Sequence, residues 1–129
     1  MFDYLSVGQI EELHTLQIQH FGGSVGLRDR AGLEAAAVRP AMTFGGEDLY
    51  PDAAAKAAAL IHSLVMNHAF IDGNKRVGIA AAEFFLERNG FRLDASDQEL
   101  ESLTLSVARG EMDAEPLAIW FRQRVTRIE

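Results

Sequence analysis

An all-α fold is what this chain predicts, on two features and the lack of a third. Apolar residues recur at helical spacing through most of its length. The periodic stretches begin at Ser or Asp residues and end at glycines, the usual start and stop signals of helices. No convincing pair of segments alternates with the period of two that strands require. The expectation is a single domain over residues 1–129, a bundle of about six helices with a buried one at its centre.

Ser6 with Gln9 forms a capping box and opens a helix with Val7, Ile10, Leu13 and Leu16 on one side. Gly22-Gly23 ends it near Phe21. Asp29 is the natural N-cap of a short helix from Arg30 to Arg39, stopped by Pro40. Ala41 to Pro51 reads as an irregular loop with Gly45-Gly46 at its tip, long enough to be a binding flap or a plain connector. Asp52 to Asn67 reads as a helix holding six alanines, with bulk from Leu60, Ile61, Leu64 and Val65. Lys56 and His62 are placed toward solvent or the cleft.

The next helix begins near Asn74 and closes at Asn89-Gly90. Val77, Ala80, Ala81, Phe84 and Phe85 give it one apolar face, extended by Ile79 and Leu86, and it is expected to be the most buried of all. Phe91-Arg92-Leu93 is a short extended connector. Ser96 with Glu99 is a second capping box, for a helix with Leu100, Leu103, Val107 and Ala108 inward and Gly110 at its end. Asp113 caps a last helix, with Leu117, Trp120, Phe121 and Ile128 inward and Arg122, Arg124 and Arg127 outward.

Composition narrows the function. Apolar residues at 48 % are too many for a disordered chain. A net charge of −7 argues against a general nucleic-acid binder, which needs a basic face. Zero cysteines exclude a disulfide framework and a thiolate metal site, and the four histidines fall in no familiar metal spacing. Neither a signal-like start nor a long apolar run is present, so the expectation is a cytoplasmic protein without a membrane partner.

Chemistry concentrates in His68-Ala69-Phe70-Ile71-Asp72-Gly73-Asn74-Lys75-Arg76, the turn between the two most apolar helices. Gly73-Asn74-Lys75 opens the second helix, where unpaired N–H groups and the dipole favour a phosphate. Gly73 admits close backbone approach, and Lys75 and Arg76 add full positive charges. Asp72 is a hard oxygen ligand suited to Mg²⁺ bridging phosphates. His68 titrates near neutrality and can accept a proton from an attacking hydroxyl. Singly, each residue has a commonplace reading: a hydrogen-bonding histidine, an Asp-Gly turn, a solvated helix end, a core phenylalanine. Together they point to a nucleotide.

The loop closely resembles the Fic/Doc signature H-x-F-x-D/E-x-N-K/G-R, and every specified position is met. His20-Phe21-Gly22-Gly23, Arg28-Asp29, Leu33-Glu34, Arg39-Pro40, Phe44-Gly45-Gly46, Phe84-Phe85-Leu86 and Arg88-Asn89-Gly90 resemble the Doc ("death on curing") branch. The resemblance implies a toxin of a bacterial toxin–antitoxin pair that moves phosphate from ATP to a protein hydroxyl. His68 would be the base, Asp72 the Mg²⁺ ligand, and Gly73, Asn74, Lys75 and Arg76 the phosphate cradle. Phe70 would pin the loop. The implied substrate is a protein, and this branch is associated with a translation elongation factor. In the family, a flap near residues 41–51 aligns the substrate as an extended segment.

Two alternatives stay open: AMP transfer, as in Fic relatives with a second glycine where Lys75 stands, and a regulator that binds nucleotide or a partner without turnover. Ala69 replaces the proline usual in Fic enzymes, Gly73 is the Fic-like choice, and Met66 stands where Doc relatives often carry arginine. The family's inhibitory pattern S/T-x-x-x-E-G/N is not found, since Ser106 is followed by Arg109-Gly110-Glu111. The resemblance therefore implies an external brake, a small antitoxin whose helix docks in an apolar groove.

Overall fold

The computed structural model describes residues 1–128. Six α-helices are joined in sequence: α1 (Val7–Phe21), α2 (Arg30–Val38), α3 (Ala53–Met66), α4 (Asn74–Arg88), α5 (Asp97–Ala108) and α6 (Ala114–Arg122). Both capping boxes form, with the Ser6 hydroxyl accepting from Gln9 N–H and the Ser96 hydroxyl from Glu99 N–H. Asp29 and Asp52 cap α2 and α3. Asp113 sits at the N-cap of α6 but makes no side-chain cap bond. None of these helices is long and apolar enough to cross a membrane.

The core is built on α3, which packs against α4 on one side and α6 on another. Its alanines let both neighbours approach closely. Gly78 of α4 answers them, since a Cβ there would lie 3.2 Å from side-chain atoms of both Ile61 and Val65. α4 is central, touching α1, α3 and α5. The most buried helix is nevertheless α3, not α4 as expected: 12 of its 14 residues are buried, against 7 of 15. Small side chains are enclosed on every face, whereas α4 keeps Lys75, Phe84, Glu87 and Arg88 on an open side.

Several side chains depart from the sequence reading. Lys56, placed toward solvent or cleft, is fully buried. Its ammonium donates to Pro40 O and Asp48 Oδ2 and lies over the rings of Phe2 and Tyr4, so partners replace the lost water. His62 is half-buried, its Nδ1 accepting from Arg39. Phe84 is exposed and flanked by Arg88, because the buried stripe runs through Val77, Ala81 and Phe85, with Gly78 and Ala82 beside it. On α1, Leu16 points outward, and the buried positions are Ile10, His14 and Ile18.

Short strands also appear. β1 (Thr43–Phe44) and β2 (Glu47–Asp48) pair antiparallel, making the 41–51 segment a hairpin with Gly45-Gly46 at its tip. The last helix stops at Arg122. β4 (Val125–Arg127) then pairs with β3 (Phe91–Leu93), which leaves Ile128 outside the helix and exposed. Arg124 donates to Trp120 O, an end carbonyl of α6, as a cation at a helix C-terminus should. Arg127 instead stands on the strand.

Candidate active site

α3 ends at Asn67, and the chain turns at once through His68, whose φ of +52° is left-handed. For a side chain with a Cβ this conformation costs about 1–2 kcal/mol, so the surroundings must impose it. They do so from residues 26–29. Arg28 N–H and Asp29 N–H both donate to Ala69 O, at 2.7 and 2.9 Å, and Ile71 N–H donates to Gly26 O. The Arg28 side chain donates to His68 O at 2.8 Å and Asn67 O at 3.3 Å. His68 itself remains exposed.

Phe70 pins the loop as expected. It is 3 % exposed, and its ring stacks on His14 of α1, with centroids 3.8 Å apart and planes 8° from parallel. His14 was not singled out by the sequence. It is itself buried, and Nε2 lies 2.7 Å from Asp72 O. A carbonyl only accepts, so Nε2 carries the proton. The available signal was a polar residue standing between Ile10 and Ile18 at core spacing.

Asn74 differs most from its expected place in a phosphate cradle. Its side chain is buried, accepting from Phe70 N–H at 3.0 Å and donating to Phe70 O at 2.9 Å. The amide is thus spent on the loop, and only the Asn74 backbone N–H is left to face a ligand. Gly73, at the α4 N-cap with φ +79°, has no side chain to cap the helix. A Cβ there would come within 3.1 Å of Ile18 Cδ1. The first intrahelical bond is Val77 N–H to Gly73 O, so the N–H groups of Asn74, Lys75 and Arg76 precede it unpaired within the helix.

Asp72 is oriented by backbone alone. Oδ1 accepts from Gly73 N–H at 2.8 Å and Oδ2 from Ser24 N–H at 3.2 Å. Each oxygen keeps a free lone pair. No group of three or more acidic or imidazole side chains gathers among the described residues. An ion here would therefore have one protein carboxylate, with phosphate oxygens and water completing its shell, an arrangement Mg²⁺ accepts.

The cations differ from one another. Lys75 is exposed, with no carboxylate in ion-pair range among the described residues. Arg76 lies over the Phe21 ring at 4.0 Å and pairs with Glu101 of α5 at 3.2 Å. Glu101 is 56 % exposed in this pair, so the bridge is worth about 0–1 kcal/mol. It is a weak latch. The sequence did not reveal it, because Glu101 lies in no inhibitory pattern.

Two recesses meet at the loop. One, of about 220 Å³, is bounded by Asp72 to Arg76 with Ile79, Glu101, Thr104 and Leu105. The other, of about 110 Å³, is bounded by His68, Val65, Ile71, Ala108 and the same Asp72 to Lys75 segment. The larger recess is smaller than whole-ligand pockets, typically about 300–1,000 Å³, and suits phosphates better than an entire nucleotide. The Asp72–Lys75 segment lines both recesses, with His68 in the smaller and Arg76 in the larger.

The Fic/DOC family model matches residues 4–86. A protein named Toxin Doc from Mycolicibacterium smegmatis is 45 % identical over 100 residues, covering 76 % of this chain and 77 % of that one. Protein kinase doc of Escherichia phage P1 is 30 % identical over 120 residues, covering 93 % and 94 %.

Proposed function

This chain belongs to the Fic/Doc family, and from that premise we propose that it is a toxin that transfers the γ-phosphoryl group of ATP to a protein hydroxyl. The observation that carries the reading is the shared Asp72–Lys75 wall, with His68 on one side and the cationic helix start on the other. A hydroxyl approaching His68 gives its proton to the imidazole as its oxygen bonds to the γ-phosphorus. The bond from that phosphorus to the bridging oxygen breaks, and ADP leaves. Lys75, the backbone N–H groups opening α4 and Arg76 hold the phosphate oxygens where charge is spread during transfer. Mg²⁺, when bound at Asp72, neutralises phosphate charge. The Arg76–Glu101 latch is weak enough for a triphosphate to displace.

Lys75 distinguishes phosphoryl transfer from AMP transfer. A long cationic side chain occupies the room a second glycine would leave, excluding a deep pose and attracting the terminal phosphates. Gly73, the Fic-like choice, gives no support to AMP transfer, since its left-handed φ and the nearby Ile18 account for it. Incubation of candidate target proteins with ATP labelled at the γ position is expected to label the target, and α-labelled ATP is not. Label from the α position alone would refute the proposal.

Both relatives carry Doc names, one as a toxin and one as a protein kinase. A toxin without a strong internal latch calls for a partner, here a small antitoxin whose helix docks in an apolar groove. The proposed target is a protein hydroxyl, by family association that of a translation elongation factor. Toxicity on expression, relieved by co-expression of a neighbouring gene product, is the test of that partner.

A further inference from the structure

The three successive carbonyls of Asn67, His68 and Ala69 all accept hydrogen bonds from residues 28 and 29. The work is divided. Backbone N–H groups of Arg28 and Asp29 take the Ala69 carbonyl, while the Arg28 guanidinium takes the two before it. Two adjacent carbonyls reach one planar fork only because the chain bends left-handed at His68. This is the only non-glycine residue with a positive φ among the described residues. A right-handed His68 would swing its carbonyl off Nε and turn the imidazole away from the recess it lines. Arg28 also makes no ion pair among the described residues, so its donors serve this turn.

We infer that Arg28 is a positioning residue for His68: its fork holds the left-handed turn that presents the imidazole to the hydroxyl. The inference deepens the proposed function and rests on it for the kinetic readout, but its structural half stands alone. The strap formed by residues 26–29 keeps its backbone bonds without the guanidinium, so loss of the side chain leaves the fold and frees the turn.

The experiment pairs isotope-edited NMR of His68 with steady-state phosphoryl transfer, in wild type, Arg28→Ala and Arg28→Lys. In Arg28→Ala the His68 Cα and Cβ shifts are expected to leave their left-handed values. The kcat is expected to fall roughly ten- to hundredfold, the scale of a misplaced catalytic group, with KM for ATP at its wild-type value. Arg28→Lys, with no planar fork, should fall between, and added guanidinium ion should restore part of the Arg28→Ala rate. His68 shifts unchanged in Arg28→Ala would overturn the inference. So would an unchanged kcat, or a rise confined to the KM of the protein target, which would make Arg28 a substrate contact. If wild type transfers no γ-phosphoryl group, the proposed function fails while the NMR comparison still decides the role of Arg28.

Discussion

Asn74 offers the sharpest test of how the motif is built. Its amide satisfies both backbone groups of Phe70, at 3.0 and 2.9 Å, where Phe70 is 3 % exposed and Asn74 6 %. Asn74→Ala strands a buried N–H and a buried C=O together. Each orphaned group costs about 1–3 kcal/mol, so the variant should lose about 2–6 kcal/mol, out of a total of about 5–15 for an ordinary domain. With a urea slope of about 1–3 kcal/mol per molar, the unfolding midpoint falls by about 1 M or more. Asn74→Asp keeps the acceptor for Phe70 N–H and sits well at a helix start, but sets a carboxylate oxygen against Phe70 O. It should fall between the two. Urea unfolding followed by circular dichroism gives the stability, and ATP titration of the folded variants gives the affinity. An unchanged midpoint with a weakened ATP affinity would refute the clamp and return the amide to the phosphates.

Three further outcomes follow from neighbouring residues. His68→Ala should lower transfer by roughly 10²–10⁴ with the fold intact, whereas His68→Gly should also be more stable than His68→Ala by about 1 kcal/mol, because glycine tolerates φ of +52°; equal melting curves would remove the argument from backbone strain. Glu101→Gln removes only an exposed pair, so melting should hold while calorimetric ATP affinity rises about two- to fivefold, within about 1 kcal/mol; a fall would make Glu101 part of the binding site. Burial first, and Arg39 second, hold the His62 pKa below the usual 6.5, so the unfolded chain binds more protons there and stability is lost as pH falls through and below that value. His62→Gln should flatten that limb of the stability–pH curve, and an identical slope would place the linked group elsewhere.

What the sequence made legible was local. Capping boxes at Ser6 and Ser96, caps at Asp29 and Asp52, and glycine stops act within one turn, and the helices begin and end where those signals stand. The strands were hidden because β1 and β2 are 2 residues each and β3 and β4 are 3, too short for alternation to show. The β3–β4 pair also depends on partners far apart in the chain. The burial of Lys56 and of His14 is hidden from the sequence for a common reason. Residue type says surface, and only the assembled neighbours, Pro40 O and Asp48 for one, Phe70 and Asp72 O for the other, make burial tolerable.

The site divides along the same line. Residues 68–76, to which the proposed chemistry is assigned, were visible as a motif, but only part of what fixes their geometry lies inside it. Asn74 clamps Phe70 and Gly73 N–H holds Asp72 Oδ1 from within; the other restraints arrive from elsewhere. His14 comes from α1, Ser24 and Arg28 from the connection to α2, and Glu101 from α5. A Cβ at Gly73 would crowd Ile18, and one at Gly78 would crowd Ile61 and Val65. A motif of this kind specifies which atoms react. Their placement is a property of the fold, because a left-handed histidine and a carboxylate held only by backbone N–H groups have no local reason to persist. Variants of His14 or Arg28, outside the signature, should therefore change catalysis through geometry, and variants of Lys75 or Asp72 through charge.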